Sequence, residues 1–486
     1  MSTRRADVVV AGAGFGGLGA ALTLAEAGAD VVLFEALRYP GGCASTFTRS
    51  GVDFEAGATL LTGFEPGQLF RRWVDQYELD LSFERLDPVL SLDIGGERRP
   101  LPARKQAWVD RLVAEAGPKG GAVAAFFAEQ DAAAEALWSV LDAPELLPPL
   151  GLTAVARHAG RVPAHLRWVR WMGQSLESVL EHFGVEAFAP LRHWLEATTR
   201  ITVQTSVREA EAPFALAAAD FLFRGVVGID GGIGRLSWAL IEAARSQGVD
   251  VRMPDAVRRL ERVGDGWRVE SRRGAVEAQV VIANALPSTV TSWVGRPVLP
   301  RLDRRIRSGW GAAMLYLVVV DSADLEDEIR HHQLVEDPSA PLLDGNHALV
   351  SMGGRQHLDG RAVRTVSVST HLQMGSPAED QAAQVSRAQE RLRRQVASRF
   401  PHWEILQEFT ASPRTFERFT GRPGGFVGGV PRTVGLHHYG SAFSGAAESG
   451  LYLVGDSVFP GQSTLAAATG GQRVATRVLR ELPVPG

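Results

Sequence analysis

Hydrophobic and polar positions sort the start of the chain into strand, helix and strand. Asp7-Val-Val-Val-Ala11 is a short apolar run, as expected of a strand covered on both faces. A glycine turn, Gly12-Ala-Gly14-Phe15-Gly16-Gly17, breaks it, and an Ala/Leu-rich stretch follows to Gly28. Val31-Val-Leu-Phe34 is a second apolar run and ends on Glu35. Pro88–Ile94 predicts a strand, Gly95-Gly96 a hairpin-like turn and Arg98–Leu101 the returning strand. Residues 118–188 read as mainly helical, punctuated by Pro148-Pro149 and Pro163. Gly231-Gly232-Ile-Gly234 opens a second such unit: a helix over Arg235–Gln247, strands at Asp250–Met253 and Val257–Val263, and a hairpin from Trp267–Ser271 into Val276–Asn284. Long strands over Ala312–Val320 and Arg364–Leu372 indicate a second sheet. The chain closes on Gly450-Leu-Tyr-Leu-Val-Gly455-Asp456, a buried strand running into a loop, and a helix from about Leu465.

The first of these units has its parts in the order a dinucleotide needs. Gly12 permits the tight turn, Gly14 lets backbone approach a pyrophosphate, and Gly17 lets the helix pack close to the sheet. Phe15 and Gly16 open that helix, whose free N–H groups and positive dipole end face the phosphates. Glu35, ending the second strand, can accept both hydroxyls of an adenosine ribose, with Ala36 next to it. An ordinary glycine-rich turn lacks this company of strand, helix and acid.

Composition narrows the class. The 486 residues allow two or three domains, and 45% hydrophobic with 22% charged residues is ordinary for a soluble protein. A net charge of −4 gives no global attraction to nucleic acid. Cys43 is the single cysteine, so an intrachain disulfide and a multi-cysteine metal site are excluded, which fits a reducing cytoplasm. No metal site is expected. No run reaches the ~20 apolar residues that span a bilayer, and no fixed-period repeat is present.

Several blocks resemble the FAD-dependent phytoene desaturase and carotene cis–trans isomerase family, within the amine oxidase/p-hydroxybenzoate hydroxylase fold class. They are Gly12–Glu35, Pro40-Gly41-Gly42, Gly51-Val-Asp-Phe54-Glu55-Ala-Gly57, Gly228–Gly234, Val280–Ala285, Ser412–Arg418, Gly424–Gly428 and Gly450–Gln462. The spacing from Glu35 to Gly41-Gly42 and the block ending at Gly57 look closest to the isomerase branch. The resemblance implies an α/β fold, with a discontinuous Rossmann-like FAD-binding domain interleaved with an α+β substrate domain of mixed sheet plus helical cap. Residues 1–80, 215–290 and 440–486 would form the FAD domain. Residues 81–214 and 291–439 would form the substrate domain, with the cap at about 118–214.

The cofactor implied is FAD. FAD is long and needs a second contact at the far end of the chain. Gly455 lets a loop approach, Asp456 can accept from a ribityl hydroxyl, and the helix after Ser463 aims its N–H groups at the flavin, making Thr464, Leu465 and Ala466 candidate neighbours. A capping or turn aspartate is the plainer reading of Asp456. Gly41 and Gly42 would pass beside the pyrophosphate and the ring, and Gly57 belongs to the same block. Arg38 is a candidate to neutralise phosphate, with an exposed loop arginine as the alternative. Val257 sits where such folds supply backbone contacts to adenine.

The implied substrate is a long apolar polyene, a carotenoid or other isoprenoid. The leading expectation is desaturation, in which flavin N5 takes a hydride from a carbon beside the polyene and a neighbouring proton leaves. Quinone or oxygen then reoxidises the flavin; isomerisation is the alternative. In isomerisation, reduced flavin lowers the double-bond order without net redox change. An amine oxidase shares the glycine framework, but five tyrosines leave little material for an aromatic cage. A non-enzymatic prenyl binder of the GDP-dissociation inhibitor type need not keep the nucleotide residues. His165-Leu-Arg167-Trp168-Val-Arg170-Trp171-Met172 interleaves Trp and Arg as a headgroup region would; the alternative is an amphipathic helix packing its tryptophans, like Phe126-Phe127 and Trp138, into the core. The expected location is cytoplasmic, with peripheral membrane contact as the companion reading. No acid/base pair emerges. His331-His332 and His402 read as surface histidines, Glu448 is only a loose candidate, and the catalytic residue is left unassigned.

Overall fold

Valine-rich runs at Arg4–Ala11, Val31–Phe34 and Ala275–Ala283 pair in parallel and form the centre of the first sheet. A computed structural model describes residues 4–141, 143, 156–157, 168–322, 325, 329–375, 378–440 and 446–482. The strand order is 257–263, 266–271, 275–283, 4–11, 31–34 and 250–252. The short strand Leu451–Leu453 lies parallel to the second half of Ala275–Ala283, while the hairpin strand Gly266–Ser271 pairs with its first half. Residues 4–11 are therefore flanked by 31–34 on one side and 275–283 on the other, and the chain leaves in opposite directions at their carboxyl end. A crevice at such a switch point is where open α/β sheets take ligands.

The first helix, Phe15–Glu26, has almost no polar face, and nine of its residues are buried. It is covered by the sheet on one side and by the last helix, Thr464–Glu481, on another. A helix apolar all round has to be enclosed in this way.

The second sheet runs 405–411, 310–320, 361–373, 347–358, 331–335, 90–94 and 97–101. All its pairings are antiparallel except that of 331–335 with 90–94. Its period-2 alternation serves two cores. Leu315, Leu317 and Val319 pack towards Leu392, Val396 and Phe400, whereas Met314, Tyr316 and Val318 pack with Phe54. Tyr316 Oη donates to Ala56 O at 2.6 Å, Thr365 Oγ1 to Asp53 O at 2.7 Å and Ser367 Oγ to Glu55 O at 3.0 Å, docking this sheet on the 52–57 segment. Helices Gly120–Leu141, Leu176–Phe183, Ala189–Thr202 and Ala212–Ala219 form a third layer with its own core. Pro148-Pro149, Pro163 and His165–Arg167 lie outside the described residues.

Two sequence expectations are corrected. His331 and His332 are buried, at 8% and 2% exposure, because their strand is interior to the sheet and covered on both faces. His331 Nδ1 pairs with Ser351 Oγ at 2.9 Å, and His332 Nε2 donates to Ile329 O at 2.8 Å. His402 is exposed, as expected. Trp171 is buried and its Nε1 donates to Glu129, which also pairs with Arg170. Trp168 stacks on Tyr439 with centroids 6.1 Å apart. The paired-tryptophan headgroup patch therefore does not form, since Trp171 finds an apolar pocket with a buried acceptor for its N–H. Phe126, Phe127 and Trp138 are core residues as well.

Burial, with Arg330 beside the first and His371 beside the second, pushes the His331 and His347 imidazoles down to about 3. Folded values below the usual ~6.5 mean that the neutral rings contribute stability above that pH and lose it as pH falls towards the folded values. Urea unfolding at pH 7 and pH 5 should show stability dropping with acid, by on the order of 1 kcal/mol per pH unit for each such histidine. His347→Gln should reduce that slope by about one proton; an unchanged slope would contradict the assignment.

Candidate functional site

Carbonyl oxygens and side chains at the carboxyl end of the central strands close around one cavity of about 600 Å³. Gly12, Gly14, Phe15, Gly16 and Glu35 line it at one end, and Gly455, Asp456, Thr464, Leu465 and Ala466 line it as well. Ala36, Gly41, Gly42, Gly57 and Val257 are also in its wall. Residues more than 400 positions apart in sequence thus meet. Gly17 is not in the wall but behind it: a Cβ there would come within 1.9 Å of Gly12 O, so the helix could not seat. Arg38 is exposed and outside the cavity lining, so the phosphate role considered for it is not supported by its position.

The glycine turn is ready for an anion. Gly14 is the N-cap of the first helix and no side chain caps it, which leaves first-turn N–H groups directed at the cavity. Glu35 Oε2 accepts from Ala13 N–H and Oε1 from Leu37 N–H, both at 2.8 Å. Burial raises its carboxyl above the usual range, against the pull of these donors. Asp255 N–H donates to Glu35 O at 2.7 Å, and Arg252 O accepts from Glu35 N–H at 3.0 Å, so strand 250–252 and the loop after it hold the acid in place.

Asn284 joins the two ends, and sequence reading missed it. With its amide turned to satisfy both neighbours, Oδ1 accepts from Gly14 N–H at 3.0 Å and Nδ2 donates to Val454 O at 3.3 Å. Around it the backbones touch: a Cβ at Gly16 would lie 2.8 Å from Gly455 N, and one at Gly471 would lie 2.0 Å from Gly16 O. The available signal was an asparagine directly after the buried run Val280–Ala283, level with the glycine turn on the neighbouring strand.

At the other end, Asp456 faces the cavity and is held by Arg422, whose Nη1 lies 3.0 Å from Oδ2. Arg422 Nε donates to Phe426 O at 2.7 Å. Cys43 lies in the same wall, and burial pushes its thiol pKa up. Ser463 caps the last helix, its Oγ accepting from Ala466 N–H at 3.0 Å, with φ 113° and ψ 158°. That region is nearly reserved for glycine and costs roughly 1–3 kcal/mol, strain that clusters at ligand-binding positions.

Beyond these residues the cavity is mostly apolar. Phe214, Ala217, Ala218 and Phe221 come from the helical layer, and Ala312, Met314, Leu349, Ser369 and His371 from the second sheet. His371 was also missed, although it shares a face with Ser369 by simple alternation. Burial, then Arg200, holds its pKa down at about 4, so it faces the cavity as a neutral ring. Glu448 is not in the wall; it pairs with Arg296 instead, which removes it as a catalytic candidate. No group of three or more His, Cys, Asp or Glu suited to a metal exists among the described residues.

The chain matches the model of an NAD(P)-binding Rossmann-like domain over residues 10–77. It is 23% identical to a chloroplastic prolycopene isomerase of Daucus carota over 99% of this chain and 81% of that protein. It is 32% identical to a hydroxyneurosporene desaturase of Cereibacter sphaeroides over 53% of this chain and 51% of that protein. A solved putrescine oxidase variant superposes with TM-score 0.64 at 19% identity, covering 99% of this chain and all of the other, which shows a shared fold.

Gly471→Ala should push the two helices apart and cost about 1–3 kcal/mol in unfolding free energy. Gly121→Ala, where nothing lies within 4 Å of the added Cβ, is the control and should be neutral or slightly stabilising. Equal effects of the two in urea denaturation would contradict the close-contact account.

Proposed function

We propose that this chain, which belongs with the carotenoid oxidoreductases of the amine-oxidase-like flavoprotein fold, is an FAD-dependent oxidoreductase acting on a long apolar polyene. The observation that carries the proposal is one continuous cavity, bounded by an uncapped helix start and a buried acid at one end and by apolar side chains from the cap and second sheet at the other. The residues fit the cofactor. Gly12, Gly14 and Gly16 would lie against the pyrophosphate, Glu35 would hold the adenosine ribose, and Val257 would sit by the adenine. Gly455, Asp456 and Thr464–Ala466 would hold the ribityl and ring end, with Gly41, Gly42 and Gly57 beside them. On this reading residues 1–80, 215–290 and 440–486 form the cofactor domain and the remainder the substrate domain.

Bound FAD supplies a two-electron acceptor or donor. The protein's part is to orient the polyene and keep water out. Phe214, Ala217, Ala218, Phe221 and Met314 offer an extended apolar wall, and neutral His371 brings no charge to it. Two outcomes are open to such a site: net removal of two hydrogens, which needs an external acceptor such as quinone or oxygen, or isomerisation with no net redox change. Relatives alignable over nearly the whole chain are isomerases by name, whereas the named desaturases align over 53% and 18% of it, which favours isomerisation. For an amine oxidase the wall lacks a two-tyrosine cage, since no tyrosine lines the cavity among the described residues. A prenyl binder without flavin would have no use for Glu35 or the uncapped helix.

A polyene has to be drawn from a lipid phase, and Val169, Val434 and Leu436 are exposed at 42%, 40% and 62%. A Cβ at Gly173 would lie 3.7 Å from the Leu436 side chain, and Val169, N-terminal to that turn, has its carbonyl bonded by Met172 N–H. Among the described residues no helix is long and apolar enough to cross a membrane, so contact would be at the surface.

Anaerobic incubation of the FAD-loaded protein with phytoene-type and poly-cis carotenes, followed by product mass and retention analysis, tests the proposal. Unchanged mass with altered retention, dependent on reduced flavin, is expected for isomerisation; loss of two hydrogens identifies desaturation. In a parallel aerobic assay, hydrogen peroxide formed from amines, with no carotene converted in the first, would overturn the reading.

A further inference from the structure

Where the segment after Val430 meets the cap helix Ala212–Ala219, the cavity wall carries a guanidinium that no carboxylate of the described residues neutralises. Arg432 Nη2 donates to Pro460 O at 2.9 Å, its Nη1 lies 3.4 Å from His438 Nδ1, and its guanidinium carbon is 5.0 Å from the Phe214 ring centroid. Arg305 Nη2 reaches the same His438 Nδ1 at 2.7 Å. His438 Nε2 is 2.7 Å from Thr433 O, and a carbonyl only accepts, so Nε2 carries the hydrogen and Nδ1 accepts from the arginines. The ring is therefore neutral, and it joins two cations without offsetting either.

Among the described residues no acid completes the group. Glu211 comes from the same region, but Oε1 accepts from Gly173 N–H at 2.6 Å and Tyr439 Oη at 2.7 Å, and Oε2 accepts from Gly435 N–H at 2.8 Å. Among the described residues no carboxylate oxygen lies within 4.0 Å of Arg432 or Arg305. Burial, then the like charge of Arg305, pushes the Arg432 pKa down to about 10, still far above neutrality. Arginine cannot shed its charge to escape burial as lysine can. A half-buried charge with no carboxylate beside it is costly unless a ligand meets it. One further feature favours a ligand. A Cβ at Gly461 would stand 2.6 Å from Arg432 Nη2, so glycine keeps that flank open.

We infer that Arg432, backed by Arg305 through His438, binds an anionic oxygen of a molecule held in the cavity. The inference rests on the flavoenzyme reading above and deepens it, because two molecules of that reading can deliver the charge. One is the flavin ring, which gains negative charge at its carbonyl edge on reduction. The other is a polyene ending in a carboxylate. The binding chemistry is the same for both: a charge-assisted hydrogen bond in a dry wall.

The test compares wild type, Arg432→Gln and Arg432→Lys in two arms. In the first, FAD-loaded protein is titrated with sulfite, whose bond to flavin N5 places negative charge on the ring, and bleaching of the flavin gives the affinity. In the second, ligand-free protein is titrated with a C20 polyene acid and the matching alcohol, read by quenching of Trp138 and Trp293 in the cavity wall. Arg432→Gln should weaken sulfite binding, or the preference for acid over alcohol, on the order of tenfold, with Arg432→Lys retaining most of it. A sulfite effect assigns the anion to the flavin; a lost acid preference assigns it to the substrate. Arg432→Gln altering neither by more than about twofold, in protein that still unfolds cooperatively, would overturn the inference. Failure of wild type to take up FAD would count against the flavoenzyme reading alone, because the second arm needs no flavin.

Discussion

Backbone-to-backbone approach between the first and last helices is the constraint from which the site follows. Side chains at Gly16, Gly19 or Gly471 would each put a carbon within 3 Å of main-chain atoms of the opposing segment. The helices Phe15–Glu26 and Thr464–Glu481 can therefore lie closer than ordinary side-chain packing allows, and their N-termini come to the same crevice. Asn284 sits in that gap and hydrogen-bonds to both sides, so the turn after the first strand and the loop after the last are set relative to each other. Without the contact, the Rossmann-like unit would still form its central strands, but the cavity would lack the end made by Gly455, Asp456 and Thr464–Ala466.

A long ligand explains why so much chain is interposed between those helices. The second sheet and the cap are not needed to complete the parallel sheet. They wall the cavity beyond the glycine turn and the 455–466 segment with Met314, Leu349, Phe214 and Phe221. The second sheet is fixed to the crevice by hydrogen bonds from Tyr316, Thr365 and Ser367 to the backbone of 53–56. Polar groups hold the frame, and apolar groups face the cavity. Arg432 and His371 are among the polar residues of that wall, and on the proposed reading a polyene or a flavin ring would meet a specific group there.

Much of the frame was legible in sequence because its signals are local. Apolar runs of four to eight residues, a glycine turn and a terminal acid describe the strands and helix at 4–35. The same logic found the strands at 257–283, 312–320 and 364–372, but not those at 331–335 and 347–358. What sequence did not show depends on partners distant along the chain. His331-His332 look like a polar interruption, yet neighbouring strands at 90–94 and 347–358 enclose them. Trp171 next to Arg170 looks interfacial until Glu129, on another helix, supplies a buried acceptor and an ion pair. Asn284, His371 and Arg432 stand in no local pattern that marks them. Their importance comes from what stands opposite, which no local periodicity encodes.

The central claim is that one ligand is held by both ends of the chain at once. Hydrogen–deuterium exchange with and without FAD tests it most directly. Protection should appear together at residues 12–17 and at 455–466, with a matching change at Asn284. Protection confined to the N-terminal block would contradict the account, because it would describe a nucleotide held locally and a C-terminal loop with no part in the site.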